Sequence, residues 1–225
     1  MSLTQGAAVF GAIHEDALND MLRAYFTARP RYRNFGSPAF TPVTTVTSTR
    51  MDAIAFPGVP GGIQWRVEFA IPKVDLFKQG MALPPQVVLG PGQFALTTRV
   101  RLCILCSHRR DNRDRSDKPL KGERKPAVDG ELCTELGVFA VGHIDSWSDA
   151  NGNGEVRMRA DQVELVDITP DSLESVLECL IRMVLDAMLA EVVLPLQALR
   201  AGAFRLVVAS GPSIDDNQIK VLGNL

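Results

Sequence analysis

The chain is poor in the residues that usually carry chemistry. Its 225 residues include three histidines, four cysteines, two tryptophans and two tyrosines, and aromatics make up only 6%. No stretch approaches the roughly 18 uninterrupted apolar residues of a membrane span, so none is expected. A dominant charge is also missing. The formal net charge is −2, which gives no global pull toward nucleic acid or an anionic surface, and no nucleic-acid partner is expected. The opening Met-Ser-Leu-Thr-Gln-Gly carries no basic segment, and the apolar run from Ala7 to Ile13 is short. The expectation is a cytoplasmic protein, or one exported without a cleaved signal peptide.

Four cysteines are too few for a disulfide scaffold. Cys103 and Cys106 form a C-x-x-C, while Cys133 and Cys179 stand alone. A zinc site requires a second close pair of Cys or His, and His108 is the only nearby candidate. The C-x-x-C falls late in an alternating strand pattern, where residues three apart face opposite sides. The cysteines therefore read as small strand residues, with neither a metal nor a disulfide expected.

What is present is hydrophobic patterning. The chain is 46% hydrophobic, enough for one domain over residues 1–225 with a sizeable core. Helical spacing at Ile13, Ala17, Leu18, Met21, Leu22, Tyr25 and Phe26 predicts a first helix from about Ile13 to Ala28, ended by Pro30. Thr44–Thr49 reads as an edge strand. Strict alternation predicts a half-buried antiparallel strand over Ile63–Ile71, with Trp65, Val67 and Phe69 on its apolar face. Phe94–Cys106, Leu132–Trp147 and Val156–Ile168 read as three more long strands. A second helix is predicted from about Pro170 to Val193, with Thr169 as its N-cap. Its apolar arc is wide, and Glu174, Glu178, Arg182 and Asp186 form a narrow solvated stripe. Short strands follow at Phe204–Ala209 and Gln218–Leu222. The fold class expected is α+β.

Each candidate for chemistry has a plainer reading beside it. Asp149, Asn151 and Asn153 occupy the first oxygen positions of a calcium loop, but position 12 is Ala160 rather than Glu, and Asn-Gly turns join hairpins. The segment His108–Lys125, within a loop expected at 107–127, holds eight basic and four acidic residues. Arg109, Arg110, Arg113 and Arg115 make it a candidate headgroup or anion patch; a solvated flexible loop is the plain alternative. His14, His108 and His143 lie in no catalytic motif, Ser210-Gly-Pro is not a nucleophile elbow, and no phosphate or dinucleotide loop occurs. His143 lies beside Asp145 on one strand face, which reads as a surface contact. The chain is expected not to be an enzyme and to need no cofactor. Trp65, Val67, Phe69, Leu177, Leu180, Ile181, Val184 and Leu185 either line an apolar ligand tunnel or fill a core, since both require the same residue types.

The order of elements resembles the tubular lipid-binding (TULIP) superfamily, which includes bactericidal/permeability-increasing-protein-like domains. The resemblance rests on Ile13-His-Glu-Asp-Ala-Leu-Asn-Asp-Met-Leu22, on the long helix ending in Leu194-Pro-Leu196, on Gly202-Ala-Phe-Arg-Leu206, and on the closing stretch Pro212–Gly223 with its Asp-Asp-Asn turn. It implies a long, strongly curved antiparallel sheet wrapped around the C-terminal helix, with a shorter N-terminal helix. It also implies non-enzymatic binding of a lipid or other apolar ligand between the two. Lacking a signal peptide, the chain departs from the secreted members, and lipid transfer does not carry over with the fold. The alternative function is a structural or protein-interaction module with a filled core, in a larger assembly, a toxin-cluster complex or a homo-oligomer.

Overall fold

The computed structural model describes residues 7–79, 88–105, 131–148, 154–165, 171–195, 200–201, 204–205 and 207–224. The chain opens with β1 (Val9–His14), α1 (Glu15–Ala28) and a 3-10 turn at Pro30–Tyr32. Six strands follow: β2 (Asn34–Gly36), β3 (Thr49–Arg50), β4 (Ile54–Phe56), β5 (Val59–Phe69), β6 (Lys73–Leu76) and β7 (Gln93–Leu105). The hairpin of β8 (Glu131–Ser148) and β9 (Gly154–Leu165) leads to α2 (Asp171–Ala190). The chain closes with β10 (Val193–Pro195), β11 (Arg200–Ala201), β12 (Phe204–Arg205), β13 (Val207–Asp215) and β14 (Gln218–Asn224).

One nine-stranded sheet, curled into a half-barrel, dominates this α+β fold. Its order is β10-β9-β8-β7-β5-β2-β3, with β4 added to β5 and β6 to β7. The pairing is antiparallel except between β2 and β3. The alternation expected for β5 and β7 holds: Trp65, Val67, Phe69, Phe94, Leu96, Val100 and Leu102 are buried, while Arg99 and Arg101 are exposed. One edge of β7 is shared by β5 and β6, which meet at Ala70–Pro72. Pro72 has no N–H to give a ladder. The break is bridged by Ala70, whose N–H reaches Arg99 O at 2.8 Å and whose carbonyl accepts from Thr98 Oγ1 at 3.1 Å. Between β8 and β9 the register slips at Val141/Gly142. A side chain on Gly142 would collide with Arg159 O and the Phe94 ring lying opposite it. Bulges and cross-strand aromatic–glycine pairs of this kind curl sheets.

Several sequence expectations change. Residues up to His14 belong to β1 rather than to the first helix; β1 is an almost wholly exposed edge strand and carries no alternation to read. It pairs with β14, and β14 with β13, as a separate three-stranded sheet. The edge strand expected at Thr44–Thr49 is instead a hydroxyl-held turn: Thr45 Oγ1 accepts from the N–H groups of Thr47 and Ser48, and only Thr49 enters a strand. The second helix has 20 residues rather than 24, about 30 Å long. The expected cap at Thr169–Pro170 lies outside the described residues, as does residue 206 of the predicted Phe204–Ala209 strand.

Helix α1 is fixed by directional bonds. The Asn19 side chain donates to Val74 O and accepts from Val74 N, both at 2.8 Å, and Glu15 Oε2 accepts from Leu76 N at 2.7 Å. Glu15 and Asn19 are one helical turn apart, about 6 Å, which matches the two-residue step from Val74 to Leu76 along a strand. The helix thus serves as a side-chain partner for the β6 edge. Its N-terminus is tied to the closing hairpin, where Asn217 O accepts from Glu15 N at 2.9 Å and Asn217 N donates to Phe77 O at 3.2 Å. Asp216 and Asn217 both adopt positive φ, as a two-residue hairpin turn requires.

Candidate functional site

The apolar interior assembles from both sides. On α2, Leu177, Leu180, Ile181, Val184 and Leu185 face inward, continued by Met188, Leu189 and Val192. From β5 come Trp65, Val67 and Phe69. All eight candidate lining residues fall in one continuous hydrophobic cluster, each no more than 7% exposed. The cluster also takes in Leu18, Leu22 and Phe26 of α1 and Ile214 and Ile219 of the closing hairpin. Every member is a hydrocarbon, thioether or aromatic side chain, and the one polar handle among the lining residues, Trp65 Nε1, donates to Asp52 O at 3.1 Å. The backbone of α2 lies closest along β9, whereas Trp65 and Phe69 belong to β5, three strands further across the sheet. Residues of both elements belong to the same apolar cluster.

The solvated stripe behaves as its spacing predicts. Arg182 and Asp186 are exposed, and Glu174 and Glu178 are half-buried. Glu178 Oε1 accepts from Leu165 N at 3.4 Å. Glu164, Glu174 and Glu178 bring carboxylates within 4.8 Å of one another beside the first turns of α2, where the helix dipole offsets negative charge. Val176 of α2 is 62% exposed, and Met183, one heptad on, is 45% exposed.

The outer face of the β8–β9 hairpin carries a charged cluster. His143 lies between two carboxylates: Nδ1 is 2.8 Å from Asp161 Oδ1, and Nε2 is 3.0 Å from Asp145 Oδ1. Arg159 Nε reaches the other Asp145 oxygen at 2.9 Å. Asp161 sits at the register slip opposite Val141/Gly142. The hydrogen bond to Asp161 raises the His143 pKa above its usual value and outweighs partial desolvation, and the charges of Asp161 and Asp145 reinforce it. With both ring nitrogens facing carboxylates, the surroundings favour the protonated imidazole. A groove of about 440 Å³ beside it is edged by Arg157, Arg159, Arg182 and Asp186. The expected His143–Asp145 contact is present; Asp161 was missed because a bulge has no sequence signature.

The cysteine expectation is overturned. Cys103 on β7 and Cys133 on β8 lie directly opposite each other and are joined by a disulfide. The pairing depends on the β7–β8 register, which the sequence spacing of the two cysteines does not reveal. Cys106 lies outside the described residues, and Cys179 is a free, exposed thiol. Arg66, facing Cys103 from β5, donates to Glu131 Oε1 at 2.8 Å and lies over the Phe40 ring.

Two further candidates, the Arg109, Arg110, Arg113 and Arg115 patch and the Asp149, Asn151 and Asn153 calcium loop, lie outside the described residues. Among the described residues, no helix is long and apolar enough to cross a membrane.

No protein-family model matches the chain, and no curated protein matches it. Among solved structures it is similar to that of a lipopolysaccharide binding protein, with 13% sequence identity and a TM-score of 0.34. That match covers 97% of this chain and 50% of the other, so the chain spans half that protein's length.

Proposed function

We propose that this chain is a non-enzymatic, TULIP-like domain in which the curved sheet wraps α2 and holds a lipid or other apolar molecule against it. The observation that carries this reading is the uniformly apolar interior between α2 and β5, built from eight side chains without a charged group. A ligand entering there meets hydrocarbon on both sides. Each methylene buried contributes about 0.8 kcal/mol, so an acyl chain of about a dozen carbons gains on the order of 10 kcal/mol before the costs of ordering it. Specificity would come from length and shape rather than from hydrogen bonds.

A second reading is an interaction module with a filled core. Val176 and Met183, exposed on one side of α2, favour it, since an apolar strip of that kind suits a partner protein or a second copy. Native mass spectrometry of the purified chain, followed by organic extraction, separates the two. The lipid reading expects a co-purified acyl species released on extraction; a bare mass under gentle conditions, with nothing extracted, supports the filled core. The Cys103–Cys133 disulfide bears on compartment, because such bonds persist in oxidising surroundings. It favours an oxidising compartment over the cytoplasm.

A further inference from the structure

The disulfide between β7 and β8 is chemically lopsided. Cys103 is fully buried, whereas Cys133 is exposed. Arg66, Cys103 and Cys133 form one row across β5, β7 and β8, each directly opposite the next. Arg66 Nη2 lies 3.5 Å from Cys103 Sγ. Arg66 Nε makes no hydrogen bond, and its ion-pair partner Glu68 Oε1 lies 3.5 Å away. Glu131 Oε1, which accepts from Arg66 Nη2, lies 3.1 Å from Cys133 Sγ and within 4.8 Å of Cys103 Sγ. The guanidinium and its paired carboxylate thus both border the disulfide, the guanidinium reaching Cys103 and the carboxylate reaching Cys133.

Thiol–disulfide exchange depends on which sulfur can be reached and on how well the other leaves. Cys133 is the more accessible of the two residues. Cys103 would leave beside a guanidinium that stabilises a thiolate. We propose that this disulfide is a directional thiol-exchange site, at which an external low-molecular-weight thiolate is captured on Cys133. The thiolate sulfur bonds to Cys133 Sγ, the Cys133–Cys103 bond breaks, and Cys103 departs with the electron pair as a thiolate next to Arg66. One disulfide replaces another, so the thiol is the only co-reactant. Glu131 slows the approach of an anionic thiolate, and its ion pair with Arg66 limits that repulsion.

The test uses the folded full-length chain with reduced glutathione at mildly alkaline pH. Free thiols are then alkylated and the adducts located by peptide mass mapping. A parallel Cys106→Ser, Cys179→Ser background removes the other thiols. The expected result is glutathione on Cys133 and alkylation on Cys103. Arg66→Gln should slow opening about three- to tenfold by raising the pKa of the leaving sulfur, and Arg66→Lys should restore most of the rate. Glu131→Gln should speed opening by a similar factor. Glutathione on Cys103, adducts shared equally between the two sulfurs, or opening only at the rate of global unfolding would overturn the proposal. An unchanged rate in both Arg66→Gln and Glu131→Gln would do the same.

Discussion

The two helices are held in different ways. Helix α1 buries only Leu18, Leu22 and Phe26, and its position is set by bonds that tolerate little displacement. Asn19 and Glu15 grip three backbone groups of β6, and Tyr25 Oη donates to Glu191 O at 2.6 Å beyond the end of α2. Helix α2 buries eight residues between Leu177 and Val192 along with its neighbouring turn, and Glu178 adds a long contact to Leu165 N. Hydrogen bonds fix distance and angle; apolar burial scales with area and leaves orientation free. The contrast assigns α1 the role of a fixed post. It leaves α2 as the element seated mainly by apolar area.

The strongest break of this contrast is a charge on the inner face of α2. Leu185→Asp places a carboxylate among fully buried hydrocarbon and should cost about 4 kcal/mol or more, read as loss of the cooperative unfolding transition. Next comes the fixed post. Asn19→Ala strips Val74 of partners for both its N–H and its carbonyl and should cost about 2–4 kcal/mol, since each buried group left unsatisfied costs about 1–3. Chemical denaturation measures it, and hydrogen exchange should quicken at β6 while α2 stays protected. A similar cost from Asn19→Ala with no local change at β6 would show that α1 is held by burial, as α2 is.

The smallest effect is electrostatic and lies away from both helices' buried faces. The His143 pKa is raised in the folded state, so its contribution is complete below the unfolded value and is lost as pH rises through the folded one. His143→Gln should therefore lower Tm at pH 5.5 and leave it nearly unchanged at pH 9. The difference should be small, because exposed ion pairs contribute about 0–1 kcal/mol. An equal loss at both pH values would assign His143 a packing role instead.

Which features were legible from sequence follows the same division between area and geometry. Apolar burial repeats along the chain, so the inner faces of β5 and β7 and the Glu174–Asp186 stripe of α2 could be read directly. Features set by a single contact across the fold could not. Asn19 looks like any polar helix residue until β6 lies beside it. Asp161 reaches His143 only because of a register slip. Cys103 finds Cys133 only once the hairpin register is known. β1 went unread, and its last two residues were assigned to the helix, because an edge strand with no buried residue has no buried face to reveal it. The candidate lining was legible as a set of residues, and the structure brings all eight together. Composition cannot separate a wall from a filling, since Leu and Val serve both.

The most direct test of the central claim is Val184→Phe, measured by the Tm of delipidated protein together with the binding of a fluorescent sixteen-carbon fatty acid. Val184 is fully buried at the middle of the inner face of α2. If the interior holds a ligand, the larger ring occupies that space: Tm is kept or raised, and probe affinity falls at least about tenfold, the equivalent of 1.4 kcal/mol. If the core is already filled, overpacking costs about 1–3 kcal/mol and Tm drops by several degrees. In that case the unaltered chain binds no probe, and the apolar interior is a core alone.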